Sequence, residues 1–396
     1  MRTLLLLCLA ATISAGKSWA QLLPVGIAGE DLLRLSSLLD SERVTSFLLR
    51  PLRIAPVPPG DLSLRTACAV TCLTPLRLRV FHNSGFPVVA NDGAVWQGRG
   101  LTAALDAGFT FRRRGLELAA LPTLVWAQNR SFALRDVSQA GRTEYANPWH
   151  PRNRTGGWID LPQRFGPDAL ARLDPGHSYA AVSWRALRVS AGTTNLWWGP
   201  GRHNAIIISN QAPGFPHVSL STARPIDVGI GRLEVQWLWG RPRDSRWSDS
   251  IPTDSARFFT GMAWTLAPDL FPGLWIGAAR VFHLYVPPGG LSLGDYALVF
   301  QGITKVSQAD SSNPTGDDDR DQLAALFMRW APPGSGFEAY AEWARNDHNW
   351  DLRDFLLEPE HSQAYTLGLQ AVRRLDRGRV LRIGAELTHL ERSATL

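Results

Sequence analysis

The chain has 396 residues, 45% of them hydrophobic and 19% charged, and a formal charge of +6. Its basic residues alternate with acids along strand-like runs instead of gathering on one face or tail, which excludes a nucleic-acid binder. No stretch approaches ~18 uninterrupted apolar residues, which excludes a helical membrane span.

Residues 1–20 read as a secretory signal. Arg2 supplies the positive charge, Leu4 to Ala11 the apolar stretch, and Ser18-Trp19-Ala20 a small-x-small cleavage site before Gln21. Cys8 lies too near the start for a lipoprotein signal. Beyond the leader the cysteines are Cys68 and Cys72. In an oxidising compartment they can close a small loop or stay free thiols. Zinc would need two more ligands, and His82 is the one candidate nearby, so no metal is expected.

Residues 21–60 form a helical lead. Within 28–50, Leu32, Leu35, Leu38 and Leu39 recur at helical spacing, with Glu30, Arg34 and Glu42 between them. A break into two helices is expected near Asp40-Ser41, and Pro51, Pro56, Pro58 and Pro59 end the segment. Such a lead must pack in the periplasm or inside a lumen.

From residue 61 onward strand-like runs alternate with turn signals. They are 76–82, 101–112, 115–128, 178–185, 186–193, 205–209, 218–222, 228–240, 257–266, 274–286, 296–302, 322–330, 336–345, 363–374 and 379–390. Many match the ~9–11 residues of a tilted strand crossing a bilayer. In 230–239, Leu233, Val235, Trp237 and Trp239 oppose Arg232, Glu234 and Gln236. In 337–345, Phe337, Ala339, Ala341 and Trp343 oppose Glu338, Tyr340 and Glu342. In 381–389, Leu381, Ile383, Ala385 and Leu387 oppose Arg382, Glu386 and Thr388. Period two with one aromatic or aliphatic face and one charged face suits a strand between lipid and a wet lumen. Tight turns such as Pro332-Pro333-Gly334 and 375–378 contrast with long polar loops at 131–174, 241–255, 307–321 and 346–361. The fold expected is therefore all-β, a transmembrane antiparallel β-barrel over 61–396 in the bacterial outer membrane.

Three segments carry a family resemblance. The first is 195–224, with Trp197-Trp198-Gly199-Pro200-Gly201, Ser209-Asn210 and the run from Leu220 to Arg224. The second is DQLAALFMRW at 321–330, and the third FEAYAEWARNDHNWDLRDFLLEP at 337–359. With the leucine-rich lead at 31–49 and Gly60-Asp61-Leu62, the chain from about residue 25 onward resembles the capsule assembly family typified by the outer-membrane protein Wzi. That resemblance implies a barrel of about eighteen strands with a periplasmic-side helical element. It also implies a non-enzymatic, lectin-like role in holding or organising capsular polysaccharide.

No catalytic set is recognisable: no HExxH, no GxSxG elbow, no phosphate loop. Asp317-Asp318-Asp319-Arg320-Asp321 lacks the calcium-loop spacing and its glycine and reads as a solvated loop. The richest polar and aromatic loop holds Asp347, His348, Trp350, Asp351, Arg353 and Asp354. Its ring and carboxylates suit a sugar's apolar face and hydroxyls; the same loop also reads as a structural clamp. Trp197 and Trp198 are candidates for sugar stacking or for an interfacial aromatic belt. Arg202, His203, Arg224 and Arg345 complete the candidate glycan-binding set, with arginine suited to uronate carboxylates. Expected partners are capsular or exopolysaccharide and outer-membrane lipid, with no cofactor and no second subunit. The competing readings are a porin-like channel and a barrel enzyme acting on glycan or lipid. The chain ends just past a strand and without an aromatic terminus, so a C-terminal truncation, with a gap or strained seam near the final strand, is expected.

Overall fold

The computed structural model describes residues 21–40, 45–54, 71–137, 142–148, 160–247, 256–287, 289–301, 320–346, 363–376 and 379–391. The lead forms β1 (Gln21–Leu23), α1 (Ala28–Leu39), β2 (Leu49–Arg50) and β3 (Leu52–Ile54), with β1 paired to β3. In α1, Glu30 and Asp31 sit in the first turn, where the helix dipole favours acids, and the Glu30 carboxylate accepts the Gly26 N–H at 2.8 Å. The helix stops at Asp40, so the break expected there is real, but no second helix runs to residue 50. Leu49 and Arg50 are extended because their backbone pairs with β11 (Trp197–Trp198).

One antiparallel sheet holds the rest. In chain order it is β4 (Thr71–Asn83), β5 (Gly100–Arg113), β6 (Leu116–Ala120), β7 (Thr123–Ala127), β8 (Leu170–Asp174), β9 (Tyr179–Trp184) and β10 (Leu187–Gly192). After β11 come β12 (His217–Thr222), β13 (Ile226–Asp227), β14 (Gly231–Gly240), β15 (Arg257–Pro268) and β16 (Leu274–Tyr285). The last are β17 (Asp321–Trp330), β18 (Phe337–Asn346), β19 (Gln363–Arg374) and β20 (Val380–Leu390). From β14 to β20 each strand pairs with the next in unbroken register. The expected strand at 115–128 is β6 and β7, separated at Leu121-Pro122, because proline has no N–H for the ladder. β8 was hidden in an expected loop. Among the described residues β20 pairs with β19, and no ladder joins it to β4.

Two expected strands are not strands. Residues 205–209 leave the sheet and run inside it, where only Ile208 makes an isolated bridge, to Trp198. The other, at 296–302, is occupied by a 3-10 helix over Gly294–Phe300 that lies on the outer wall. In both, apolar side chains are buried against an existing wall, which satisfies the same hydrophobic pattern without a ladder.

Among the described residues the tight connections between hydrogen-bonded neighbours share one rim: β5–β6, β9–β10, β13–β14, β15–β16, β17–β18 and β19–β20. The long connections share the other. The principal apolar cluster lies within the curve of the sheet. It joins Leu38 and Leu48 of the lead and Trp198 to inward residues Leu238, Trp275, Phe327 and Val372 of four strands.

Candidate functional site: a plugged lumen between two rims

The connection from β10 to β12 folds into the lumen and meets the lead there. Trp197 and Trp198 pair with Arg50 and Leu49, and the Gly199 N–H donates to Leu48 O at 2.8 Å. Trp198 is 0% exposed and its indole N–H donates to Gln236 Oε1 at 2.8 Å. Trp197 is 2% exposed, with the Arg50 guanidinium 4.3 Å from its ring centroid. This corrects the expectation for both rings. They are neither a lipid-interface belt nor open to a sugar, because the plug covers their faces.

Inward charges of the wall hold this plug. Glu338 on β18 is fully buried. It accepts from Arg34 Nε of α1 at 2.9 Å and from Arg329 Nε of β17 at 2.7 Å. Arg329 also donates to Thr45 O. Arg50 donates to Glu30 at 3.0 Å and to Gly201 O at 2.6 Å. Burial pulls the Arg50 guanidinium below the ordinary arginine range, and the Glu30 carboxylate opposes that pull. Glu386 on β20 gathers the backbone N–H groups of Arg202, His203 and Asn204 at 2.7, 3.0 and 2.8 Å, and the Tyr340 hydroxyl at 2.8 Å. Asp31 bridges Arg202 and Arg382. Glu342 accepts the Ile206 N–H at 3.2 Å. The alternation pointed these carboxylates inward, as expected, but they face protein where a wet lumen was expected.

Beside the plug, a cavity of about 380 Å³ carries Arg53, Arg188, Arg224, Arg232 and Glu234 on its walls. Glu117 pairs with both Arg53 and Arg188 at 3.3 and 3.2 Å. Arg224 and Arg232 are exposed at the short-turn end of this cavity.

The expected glycan set is therefore dispersed. Arg202 and His203 belong to the plug, and Arg224 stands on the short-turn rim. Arg345 sits near the long-loop end of β18 and is 7% exposed. Asp347, His348, Trp350, Asp351, Arg353 and Asp354 lie outside the described residues, as does Cys68. The residues that sequence reasoning missed as functional are Arg34, Arg329, Glu338, Arg382 and Glu386. Their signal was an excess of inward charge in late strands matched by charge on the lead helix. Among the described residues no cluster of His, Cys, Asp and Glu could hold a metal ion.

Comparisons with known proteins agree with this architecture. The sequence profile of the family described as Capsule assembly protein Wzi matches residues 132–390. No curated protein sequence matches the chain. Among solved structures, the chain is similar to Wzi of Escherichia coli, described as an outer-membrane protein involved in group 1 capsule assembly and a carbohydrate-binding β-barrel. The TM-score is 0.55 at 13% identity, over 93% of this chain and 71% of that one. It also matches OccK5 (OpdH) of Pseudomonas aeruginosa, with a TM-score of 0.38 at 12% identity, over 82% of this chain and 74% of that one.

Proposed function

The chain belongs to the capsule assembly protein Wzi family and is a β-barrel of the bacterial outer membrane; from that premise we propose that it binds acidic capsular or exopolysaccharide at its long-loop rim, as a monomer and without turning it over. The observation that carries the reading is the lumen. It is filled by α1, β2, β11 and the segment after β11, and these are clamped to the wall by buried ion pairs. A filled lumen favours binding on the rim over passage of solutes. In outer-membrane barrels short turns face the periplasm and long loops face outward. β18 ends at Asn346 on that outward rim, and the sequence Asp347 to Asp354 follows it in the chain. In that sequence Trp350 offers a stacking ring and Arg353 a guanidinium fork for carboxylates, whereas Arg345, buried at the end of β18, takes no direct part. Arg224 is on the opposite rim and takes no part in that contact.

The test uses the purified full chain in detergent on immobilised polyuronate, with neutral dextran as the comparison. Polyuronate should bind, W350A/R353A should weaken it at least tenfold, and R224A should leave it unchanged. Equal binding by wild type and W350A/R353A would remove the loop from the site. No binding to polyuronate would end the acidic-glycan reading. Single-channel recording of the same protein should show no steady conductance, and a stable porin-like current would favour the channel.

A further inference from the structure

The outer wall carries a feature that neither the plug nor the glycan rim uses. In β14 the outward residues Val235, Trp237 and Trp239 oppose the inward Glu234, Gln236 and Leu238. Above them, the connection after β16 bends back down over the lipid-facing side of β14 to β16. Its 3-10 helix packs on Phe258, Phe282 and Leu284. Trp237 meets Phe300 edge-on at 5.1 Å, Phe258 meets Tyr296 at 5.3 Å, and the Trp239 indole N–H donates to Tyr296 O at 2.8 Å. Arg280 faces outward from mid-strand, a costly place for a charge on a lipid wall. Its Nη1 donates to Val299 O at 3.3 Å and Gln301 O at 2.5 Å, and its Nε to Gln322 Oε1 at 2.8 Å. The segment is thus fastened to the wall at the depth of the leaflet next to the long-loop rim.

Between that segment and the wall lies a groove of about 610 Å³. Val218, Trp239 and Phe258 form its floor, and Leu291 and Tyr296 its overhang. Arg241 stands at its mouth, where β14 meets the long-loop rim, and Arg243 follows two residues on. Both are exposed, and among the described residues neither guanidinium has a hydrogen-bond or ion-pair partner. An apolar slot opening on the membrane side, topped by two exposed arginines at the long-loop rim, has the charge order of an anionic lipid. Arginine forks match phosphate in particular.

We propose that this groove holds one acyl chain of a phosphorylated glycolipid of the outer leaflet, its phosphate on Arg241 and Arg243. The site is separate from the glycan rim. The contact would anchor the barrel to the leaflet in which capsule is retained.

The experiment uses the full chain, delipidated in detergent and titrated by native mass spectrometry with lipid A, dephosphorylated lipid A and phosphatidylglycerol. Wild type should bind lipid A at least tenfold more tightly than the other two. Val218→Trp, which fills the groove, should lower binding at least tenfold, whereas Val182→Trp, elsewhere on the outer wall, should not. Arg241→Gln with Arg243→Gln gives the same reading if Val218→Trp fails to fold. Unchanged lipid A affinity in both the groove and arginine variants overturns the site, and equal affinity for phosphatidylglycerol overturns the glycolipid assignment.

Discussion

Glu338→Ala is the sharpest test of the clamp that holds the plug. The carboxylate is 0% exposed, and its partners Arg34 and Arg329 are 3% and 1% exposed at their side chains. Two charge-assisted hydrogen bonds, each worth about 1.5–3 kcal/mol, are lost. Two guanidinium groups are then left buried without their counter-ion, and removing one partner of a buried pair costs about 3–5 kcal/mol. The two figures agree, and by the rule of 1.4 kcal/mol per tenfold they amount to roughly a hundred- to several-thousand-fold in the plug's docking equilibrium. Asp31→Asn supplies the contrast. Asp31 also bridges two arginines, but its side chain is 48% exposed, so the change should cost about 0–1 kcal/mol. The assay is planar-bilayer conductance together with thermal unfolding in detergent. Glu338→Ala should produce intermittent openings and a lower Tm, and Asp31→Asn should produce neither. Replacing all three buried charges (R34L, R329L, E338M) should recover much of the loss, since a well-packed apolar substitute avoids the desolvation cost. If Glu338→Ala and Asp31→Asn shift Tm and conductance equally, burial is not what gives the triad its strength.

Three further outcomes are expected. Trp198→Ala empties the centre of the main cluster and leaves Gln236 Oε1 without its donor. It should cost about 3–5 kcal/mol in thermal unfolding, whereas Trp184→Ala, 64% exposed on the outer wall, should cost far less. Gly199→Ala should destabilise the plug by about 1–3 kcal/mol. The backbone there has φ 119°, and a Cβ would stand 2.5 Å from Glu342 Oε2; hydrogen exchange across residues 196–206 reads the effect. Arg280→Leu should free the 3-10 helix from the outer wall, seen as faster exchange over 294–301 with the lumen unchanged. Equal protection in the variant would show that the ring contacts of Phe258 and Trp237 and the Trp239 hydrogen bond hold the segment without Arg280.

Alternation made the barrel legible. The two faces assigned to 230–239, 337–345 and 381–389 are the inward and outward faces observed, since a period of two leaves no third choice. What alternation does not encode is the contents of the lumen. Glu338, Glu342 and Glu386 carry the same pattern whether they meet water or a buried arginine, and only tertiary contact distinguishes the two. The same limit explains the two misplaced strands. Ile206 and Ile208 bury their apolar groups in the plug, and Leu298 and Val299 bury theirs outside the wall, so a short apolar run fitted a strand equally well. The helix boundary at Asp40 was readable, but the extended Leu49-Arg50 was not, because its pairing partner lies far along the chain. The glycan set was grouped by residue chemistry. Topology put Arg224 and Arg345 on opposite rims, and no local spacing records that.

The clamp also bears on how the barrel is made. Arg34 lies near the start of the described chain, yet its counter-ion Glu338 follows 304 residues later; Asp31 is 351 residues from Arg382. Contacts this distant form late, because the closure entropy of the intervening chain must be met first. Until β17 to β20 are inserted, the lead helix has a buried-type cation and no acid to receive it, so it cannot seat. Seating of the plug therefore reports that the last strands are in place, and a barrel stalled at β16 would keep its N-terminal segment loose and open to periplasmic proteases.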